Sequence, residues 1–173
     1  MPPQGTDVTR PITDRVKQSL FDILTPRIEG ARVYDLFAGT GSMGLESLSR
    51  GASQATFFEA DRSAVQRLKQ NIAALGVEDR AKVIAGDLFK WFEGSAGEEK
   101  ADLIFVDPPY RFLTERPEAL RGLAERIARC DLAVDGLLIF RHDARDALEL
   151  PRLDRYDSRS YGGMTIELLR PAE

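Results

Sequence analysis

The sequence predicts an α/β fold, a doubly wound and mostly parallel seven-stranded sheet that ends in an antiparallel hairpin. Three observations carry this prediction. Short apolar runs alternate with helical stripes, a glycine-rich loop follows the first run, and the pattern changes after Pro151. Near-continuous apolar strands that alternate with helices indicate a parallel sheet covered on both faces. The length of 173 residues suits one domain, so we expect residues 1–173 to form a single domain.

The predicted elements follow from these patterns in chain order. Helices are indicated by apolar residues three or four positions apart, in stripes at 16–24, 45–48, 65–72 and 120–127, and a further helix would run through Phe89 and Trp91. Asp14 is the expected N-cap of the first helix. Parallel strands are indicated by apolar runs at 33–37, 55–59, 82–85, 102–106 and 137–140. After Pro151, residues 153–158 and 164–169 are typical of two strands joined by a glycine turn.

Composition argues against several classes of function. Acidic residues number 28 and basic residues 24, and a formal charge of −4 argues against non-specific coating of nucleic acid. With one histidine, His142, and one cysteine, Cys130, the chain lacks the ligands of a Cys/His zinc site, and we expect no metal. His142 is expected in a loop. No apolar run approaches the ~18 residues of a membrane span and no signal-peptide pattern opens the chain, which favours a cytoplasmic protein.

A glycine-rich loop is the first candidate site. Gly39, Gly41 and Gly44 form a Gly-x-Gly-x-x-Gly pattern between a predicted strand and a predicted helix, which is the context of a nucleotide-binding loop. Glycine lets the backbone turn tightly and approach a ligand closely. Glu59 follows 20 residues after Gly39, at the end of the second strand, where a carboxylate can accept hydrogen bonds from both hydroxyls of a ribose. That arrangement suits NAD and S-adenosylmethionine equally.

Asp35 favours one of these two cofactors. It lies four residues before Gly39, at the end of the first strand, with its negative charge directed at the ligand edge. A carboxylate repels a pyrophosphate but attracts the ammonium or sulfonium group of S-adenosylmethionine. Asp87, at the end of the third strand, can accept a hydrogen bond from an adenine amino group, cap the following helix, or do both. We therefore expect S-adenosylmethionine as the cofactor.

The segment Asp107-Pro108-Pro109-Tyr110 follows the fourth predicted strand directly. Two prolines end a strand because they lack amide donors, and they leave carbonyl acceptors unpaired. The Asp107 carboxylate and the Pro108 carbonyl can each accept a hydrogen from an exocyclic amine, which turns the nitrogen lone pair towards a methyl donor. Tyr110 can stack on the ring that carries the amine. The alternative is a proline-terminated strand with a surface turn.

Together these motifs resemble those of the Rossmann-type amino-methyltransferases, in which the glycine loop also precedes the Asp-Pro-Pro-Tyr segment. A narrower resemblance, to the RsmD family, runs from about Thr9 to Leu169. It rests on residues 10–17, 35–41, 44–46 and 49–52, together with Leu20-Phe21. The resemblance implies the class I fold of S-adenosylmethionine-dependent methyltransferases. It also implies an enzyme that methylates N2 of a guanine in small-subunit (16S) ribosomal RNA.

Carried onto this chain, the family pattern assigns two groups of residues. The cofactor would lie against Thr13, Arg15, Asp35, Phe37, Gly39, Gly41, Gly44, Glu59, Asp87 and Leu88. Of these, Thr13 and Arg15 would reach towards its methionine end. The guanine amino group would be held by the catalytic segment Asp107, Pro108, Pro109 and Tyr110.

Ribosomal RNA, free or within an assembling small ribosomal subunit, is the partner that the resemblance implies. Family members usually carry a basic stretch before the segment that begins at residue 10. Residues 1–9 of this sequence contain no Lys or Arg. We therefore expect affinity for bare RNA to be weak and steeply dependent on salt.

Other interpretations of the sequence remain open. The same chemistry would suit adenine N6 in nucleic acid or a protein glutamine amide, since both present a planar NH₂ group. An NAD-dependent oxidoreductase would need a proton donor that the sequence does not show, and Asp35 opposes it. A cofactor-binding module without turnover is a third alternative. Arg111, Arg116 and Arg159 are candidates for phosphate contacts or ordinary solvated side chains, and Phe112 for a base contact or the core.

Overall fold

The computed structural model describes residues 12–94 and 99–173, and within them seven strands form one sheet. The strands are β1 (Arg32–Leu36), β2 (Gln54–Glu59), β3 (Ala81–Ala85), β4 (Ala101–Val106), β5 (Leu132–Asp143), β6 (Leu153–Tyr161) and β7 (Met164–Pro171). Their order across the sheet is β3-β2-β1-β4-β5-β7-β6. Strands β1 to β5 pair in parallel, whereas β7 runs antiparallel between β5 and β6. The predicted fold class is confirmed.

Helices cover both faces of this sheet. They are α1 (Asp14–Ile28), α2 (Ser42–Ser49), α3 (Arg62–Leu75), α4 (Leu88–Gly94), α5 (Tyr110–Glu115) and α6 (Pro117–Arg126). Helices α1 to α3 enclose one apolar core and α4 to α6 the other. Phe57 and Phe58 are neighbours on β2 and are fully buried in different cores, because successive strand side chains alternate between faces. None of the described helices combines the length and the apolar character needed to cross a membrane.

The first helix begins with a different cap from the one predicted. Thr13 has an extended backbone, with φ −71° and ψ 153°, and its hydroxyl accepts the N–H of Val16 at 3.2 Å. The prediction of Asp14 as the N-cap is therefore wrong. Asp14 lies inside the first turn, where its negative charge complements the helix dipole. Threonine and aspartate are both good caps, and the backbone geometry selects the earlier of the two.

Strand β5 is longer than its apolar run predicts. Residues 141–143 continue the strand because they pair with the beginning of β7. His142 is consequently buried within the sheet, and its Nε2 lies 3.0 Å from Oε2 of Glu167 on β7. The prediction that His142 lies in a loop is wrong, since the strand is extended by a partner distant in sequence rather than by its own apolar residues.

The carboxyl ends of the parallel strands meet at one edge of the sheet. Leu36 at the end of β1 pairs with Phe58 on one side and with Val106 on the other. Strands β2 and β4 therefore flank β1, and the strand order reverses between β1 and β4. Ligands of doubly wound sheets bind at such a reversal, outside the carboxyl ends of the strands. The fold thus brings the loops after β1, β2 and β4 to the expected ligand edge.

Candidate active site

The chain turns sharply where β1 ends. Phe37, Gly39 and Gly41 have positive φ angles of 59°, 57° and 92°. A left-handed backbone costs a non-glycine residue such as Phe37 about 1 kcal/mol or more, and it persists where the surroundings determine it. The N–H of Ala38 donates to the carbonyl of Phe58 at 2.9 Å. The turn therefore holds the glycine loop against the end of β2.

The three glycines of the loop are required for different reasons. A Cβ on Gly39 would meet no atom within 4 Å, and Gly39 lines an open cleft. On Gly41 a Cβ would lie 2.4 Å from Cδ1 of Leu68, and on Gly44 it would lie 2.4 Å from Cε1 of Phe57. Gly39 therefore presents its backbone to the cleft. Gly41 and Gly44 allow the loop and α2 to pack closely against α3 and β2.

Glu59 connects the glycine loop to the loop after β2. Its Oε1 accepts the N–H of Gly39 at 2.7 Å, and its Oε2 accepts the N–H of Asp61 at 2.8 Å. These two bonds fix the carboxylate at the carboxyl end of β2. A carboxylate oxygen has a second lone pair, so each oxygen of Glu59 can also accept a hydrogen bond from a ligand hydroxyl.

Asp35 is a buried carboxylate whose hydrogen-bond donor is neutral. Its Oδ2 accepts the backbone N–H of Gly44 at 2.9 Å. Burial raises the pKa of Asp35 to about 8; the Gly44 hydrogen bond opposes the rise, and the carboxylates of Asp107 and Glu59 add to it. A positive charge beside Asp35 would stabilise its ionised form. The loop after β1 is therefore suited to a cationic ligand.

Asp107 is a second carboxylate at this edge, and a guanidinium holds it. Asp107 follows β4 directly, and Nη2 of Arg141 on β5 donates to its Oδ2. The side chain of Arg141 is 10% exposed and that of Asp107 is 23% exposed. Burial raises the pKa of Asp107, while the hydrogen bond and the charge of Arg141 act in the opposite direction. Unlike Asp35, Asp107 has its charge compensated within the protein.

The Asp-Pro-Pro-Tyr segment ends β4 as predicted. The strand stops at Val106, Pro108 is buried, and Pro109 directly precedes α5. Tyr110 is half-buried and begins that helix. Because both prolines restrict φ, the short connection between strand and helix is rigid. It fixes the relative positions of Asp107 and Tyr110.

A cleft of about 710 Å³ opens beside the glycine loop. Phe37, Phe89 and Phe112 form an aromatic group on its wall, with ring centroids 5.8 to 6.1 Å apart. The guanidinium of Arg116 lies 4.4 Å from the centroid of Phe89. The other predicted site residues on the wall are Gly39, Glu59, Asp87, Leu88 and Pro109. Aromatic rings beside a fixed carboxylate suit a nucleoside, whose base can pack on the rings while its ribose bonds to the carboxylate.

The remaining predicted site residues do not line this cleft. They are Thr13, Arg15, Asp35, Gly41, Gly44, Asp107, Pro108 and Tyr110. Arg15 is exposed in the first turn of α1, and the Thr13 hydroxyl caps that helix. Asp87 lines the cleft, and its Oδ1 also accepts the N–H of Phe89 at 2.9 Å. The expected contacts of these residues, with the cofactor or with the guanine amine, stay predictions.

Two of the three arginines predicted to contact phosphate lie at the site. Arg111 and Arg116 line the cleft, together with Phe112. Arg159 lies on β6, where its Nη2 is 3.1 Å from Oδ2 of Asp157. Sequence reasoning missed Arg141 altogether. Its only signal is the register of β4 and β5, and no local motif reveals that register.

The strand order, the glycine loop with its carboxylates and the Asp-Pro-Pro-Tyr segment together define the class I methyltransferase fold. An RNA methyltransferase from Salinibacter ruber, solved in complex with S-adenosyl-L-homocysteine, is similar with a TM-score of 0.69. The match covers 95% of each chain at 16% sequence identity, which establishes the shared fold. The chain belongs to the family described as "Conserved hypothetical protein 95", whose model matches residues 1–170. This is the RsmD family that the motifs predicted.

Two relatives illustrate the extent of the match. The chain is 37% identical over 144 residues to "Putative rRNA methyltransferase YlbH" of Bacillus subtilis (strain 168), covering 83% of this chain and 75% of that protein. It is 41% identical over 102 residues to "Ribosomal RNA small subunit methyltransferase D" of Escherichia coli (strain K12). That match covers 59% of this chain and 50% of the relative, so the aligned part is half of the relative's length. Residues 10 and 11 of the family-specific segment lie outside the described residues.

Proposed function

We propose that this protein transfers a methyl group from S-adenosylmethionine to N2 of a guanine in small-subunit ribosomal RNA. The observation that carries the proposal is the pair of carboxylates at the ends of neighbouring parallel strands, the buried Asp35 and the partly buried Asp107. Asp35 suits a cationic cofactor, and Asp107 suits an amine that donates hydrogen bonds. Membership of the RsmD family, with relatives named as rRNA methyltransferases, supports ribosomal RNA as the substrate.

The residues around the glycine loop fit S-adenosylmethionine better than NAD. Asp35 would compensate the positive charge of the cofactor, and Glu59 would accept hydrogen bonds from the ribose. Phe37 and Leu88 would pack against the adenine, and Asp87 would accept from its amino group. A pyrophosphate near Asp35 would instead add a negative charge to a region that already contains several carboxylates. When bound, S-adenosylmethionine supplies a methyl group that its sulfonium has already activated for displacement.

Asp107 and its neighbours supply position rather than strong base catalysis. Oδ1 of Asp107 and the carbonyl of Pro108 would each accept a hydrogen from the guanine amine, which turns the nitrogen lone pair out of the ring plane. The lone pair then forms the N–C bond while the C–S bond breaks and sulfur keeps its electron pair. Positive charge develops on the nitrogen, and an ionised Asp107 stabilises it. The nitrogen afterwards loses its proton to Asp107 or to water.

The RNA side of the site is supported by charge and aromatic surface at the cleft. Tyr110 would stack on the target base, and Arg111 and Arg116 lie where they can reach phosphates of the flanking nucleotides. Because the net charge of the chain is −4, contact with RNA phosphates would be confined to the arginines at the cleft. We propose that the RNA is presented within an assembling small subunit, where bound proteins compensate for weak affinity to bare RNA.

A methyl-transfer assay with two forms of the RNA tests the proposal. The full chain is incubated with S-adenosylmethionine carrying a tritiated methyl group. The RNA is unmodified 16S rRNA, alone in one arm and bound to small-subunit proteins in the other. We expect tritium in N2-methylguanine after nuclease digestion, with more product from the protein-bound RNA. Absence of label from both RNAs, or label in adenine, would contradict the proposal. A separate calorimetric titration should show binding of S-adenosylhomocysteine and none of NADH.

A further inference from the structure

Arg141 occupies the junction between the candidate catalytic loop and the C-terminal hairpin. Val106 pairs with Phe140, so the next residues along the two parallel strands, Asp107 and Arg141, emerge side by side at the ligand edge. Nη2 of Arg141 donates to Oδ2 of Asp107, and Nη1 donates to Sδ of Met164 at 3.4 Å. Met164 is the first residue of β7. The guanidinium is therefore held from two sides.

The Arg141 interaction uses one oxygen of Asp107 and leaves the other available. Among the described residues, Oδ1 of Asp107 accepts no hydrogen bond. The Asp107 side chain is 23% exposed, more than twice the exposed fraction of Arg141. The carboxylate can therefore accept a hydrogen bond from a substrate without breaking its bond to Arg141.

The charged groups beside Asp107 lie on two neighbouring strands. Arg141 on β5 stabilises the ionised form of the Asp107 carboxylate. Asp35 on β1 is close enough for the two carboxylates to interact unfavourably. Met164 on β7 carries no charge, and Tyr110 follows on α5. Arg141 is the cation paired with Asp107 in the part of the chain that the structure describes. Without it, a buried carboxylate beside another carboxylate would favour its protonated form.

We propose that Arg141 is a positioning residue for methyl transfer: it fixes Asp107 through Oδ2, opposes protonation of the carboxylate and presents Oδ1 to the substrate amine. This inference rests on the proposed function, because only that function makes Asp107 the acceptor for the substrate amine. Arg141 acts through Asp107 and touches neither the cofactor nor the RNA in this role. Its effect should therefore depend on the presence of an ionisable group at position 107.

A double-mutant cycle with a pH profile tests this role. The proteins are the parent, Arg141→Met, Arg141→Lys, Asp107→Asn, and the double variant Asp107→Asn with Arg141→Met. Single-turnover methyl transfer is measured from pH 6 to pH 9 with saturating cofactor and RNA, and S-adenosylhomocysteine affinity is measured alongside. Arg155→Met is the matched control, because Arg155 also pairs with a carboxylate of the sheet, Glu167 at 2.8 Å, but on the far side of the hairpin.

We expect Arg141→Met to slow methyl transfer by about tenfold or more at pH 6.5 and by much less at pH 9. Loss of Arg141 should raise the pKa of Asp107, and below that pKa each unit of rise lowers the ionised fraction of the carboxylate about tenfold. The acid limb of its pH profile should move to higher pH. Arg141→Lys should restore most of the rate, and cofactor affinity should stay within about twofold in every variant. In the Asp107→Asn background, Arg141→Met should have little further effect, because the group on which it acts is gone.

Several results would overturn the inference. A parental rate and pH profile in Arg141→Met would show that Asp107 needs no partner. Equal slowing at all pH values, with no rescue by lysine and an additive effect in the double variant, would indicate damage to folding rather than positioning. The double variant carries neither buried charge, so its melting temperature separates loss of fold from loss of the pair. If the parent itself transfers no methyl group to either RNA, the proposed function fails instead.

Discussion

Asp35 is buried and Asp107 is partly buried at the ends of neighbouring parallel strands, yet their carboxylates have different partners. The Asp35 carboxylate accepts a neutral backbone N–H from Gly44, and its pKa rises to about 8. The Asp107 carboxylate pairs with the guanidinium of Arg141, which opposes the effect of burial on its pKa. Among the residues that the structure describes, no cation pairs with Asp35, whereas Asp107 already has one.

In the proposed function, this difference would separate two tasks at a single sheet edge. A carboxylate without a compensating cation gains most from a ligand that brings positive charge, so Asp35 is suited to bind the cofactor. A carboxylate that already has a cationic partner can accept hydrogen bonds from a neutral amine, so Asp107 suits the proposed substrate.

The largest effect is expected at the substrate carboxylate. Asp107→Ala should lower single-turnover methyl transfer by about 100-fold, in line with removing one positioned polar contact in a buried site. Asp107→Asn should be less harmful, since its amide oxygen still accepts a hydrogen bond. Affinity for S-adenosylhomocysteine, measured by calorimetry, should change little in either variant. Parental methyl transfer by Asp107→Ala would remove the Asp-Pro-Pro-Tyr segment from the mechanism.

The reverse pattern is expected at the cofactor carboxylate. Asp35→Asn keeps an acceptor for the Gly44 N–H but cannot carry negative charge. It should weaken S-adenosylmethionine binding by about tenfold or more, which corresponds to ~1.4 kcal/mol. Methyl transfer at saturating cofactor should fall much less than in Asp107→Ala. Unchanged cofactor affinity would contradict the role assigned to Asp35.

The same variant should alter the pH dependence of stability. The pKa of Asp35 in the folded state is about 8, above its ordinary value of 3.8. The folded protein therefore binds more protons than the unfolded chain between these values, and its stability falls as pH rises through this window. In ligand-free protein, melting temperatures measured from pH 5 to pH 9 should decline less for Asp35→Asn than for the parent. Parallel curves for the two proteins would contradict a raised pKa of Asp35 in the folded state.

A smaller effect is expected at Glu59, whose carboxylate accepts hydrogen bonds from two backbone N–H groups. Glu59→Gln replaces one acceptor oxygen by a donor, so one ribose hydroxyl loses its partner. The rise in melting temperature caused by S-adenosylhomocysteine should shrink, in keeping with a loss of about 1 kcal/mol of binding free energy. Glu93→Gln is the control, because Glu93 is exposed on α4 and does not line the cleft. Equal shifts in both variants would remove Glu59 from the site.

The smallest effect is expected for Tyr110→Phe at the stacking residue. Tyr110→Phe keeps the aromatic ring and should retain methyl transfer within about twofold, whereas Tyr110→Ala should lose a stacking contact of ~1–3 kcal/mol. Rates at subsaturating RNA distinguish the two variants, because stacking contributes to substrate binding. If the phenylalanine and alanine variants were equally slow, the hydroxyl rather than the ring would be the functional group.

The two carboxylates also differ in how much of their surroundings the sequence alone could predict. The surroundings of Asp35 are local: the glycine pattern, Glu59 at the next strand end and the strand-to-helix turn all follow from short segments. The partner of Asp107 is not local, since Arg141 reaches it only through the register of β4 and β5. His142 was misplaced for the same reason, because pairing with β7 extends β5. Thr13 and Asp14 are both good caps, and composition cannot choose between them.

The central claim is that Asp35 ionises to receive the positive charge of the cofactor. Calorimetric titration with S-adenosylmethionine at pH 6.5, in two buffers of different ionisation enthalpy, measures the protons exchanged on binding. Since the pKa of Asp35 is about 8 before binding, the parent and Asp107→Asn should each release close to one proton per cofactor. Asp35→Asn should release almost none. Equal proton release by the parent and Asp35→Asn would contradict the assignment of Asp35 to the cofactor.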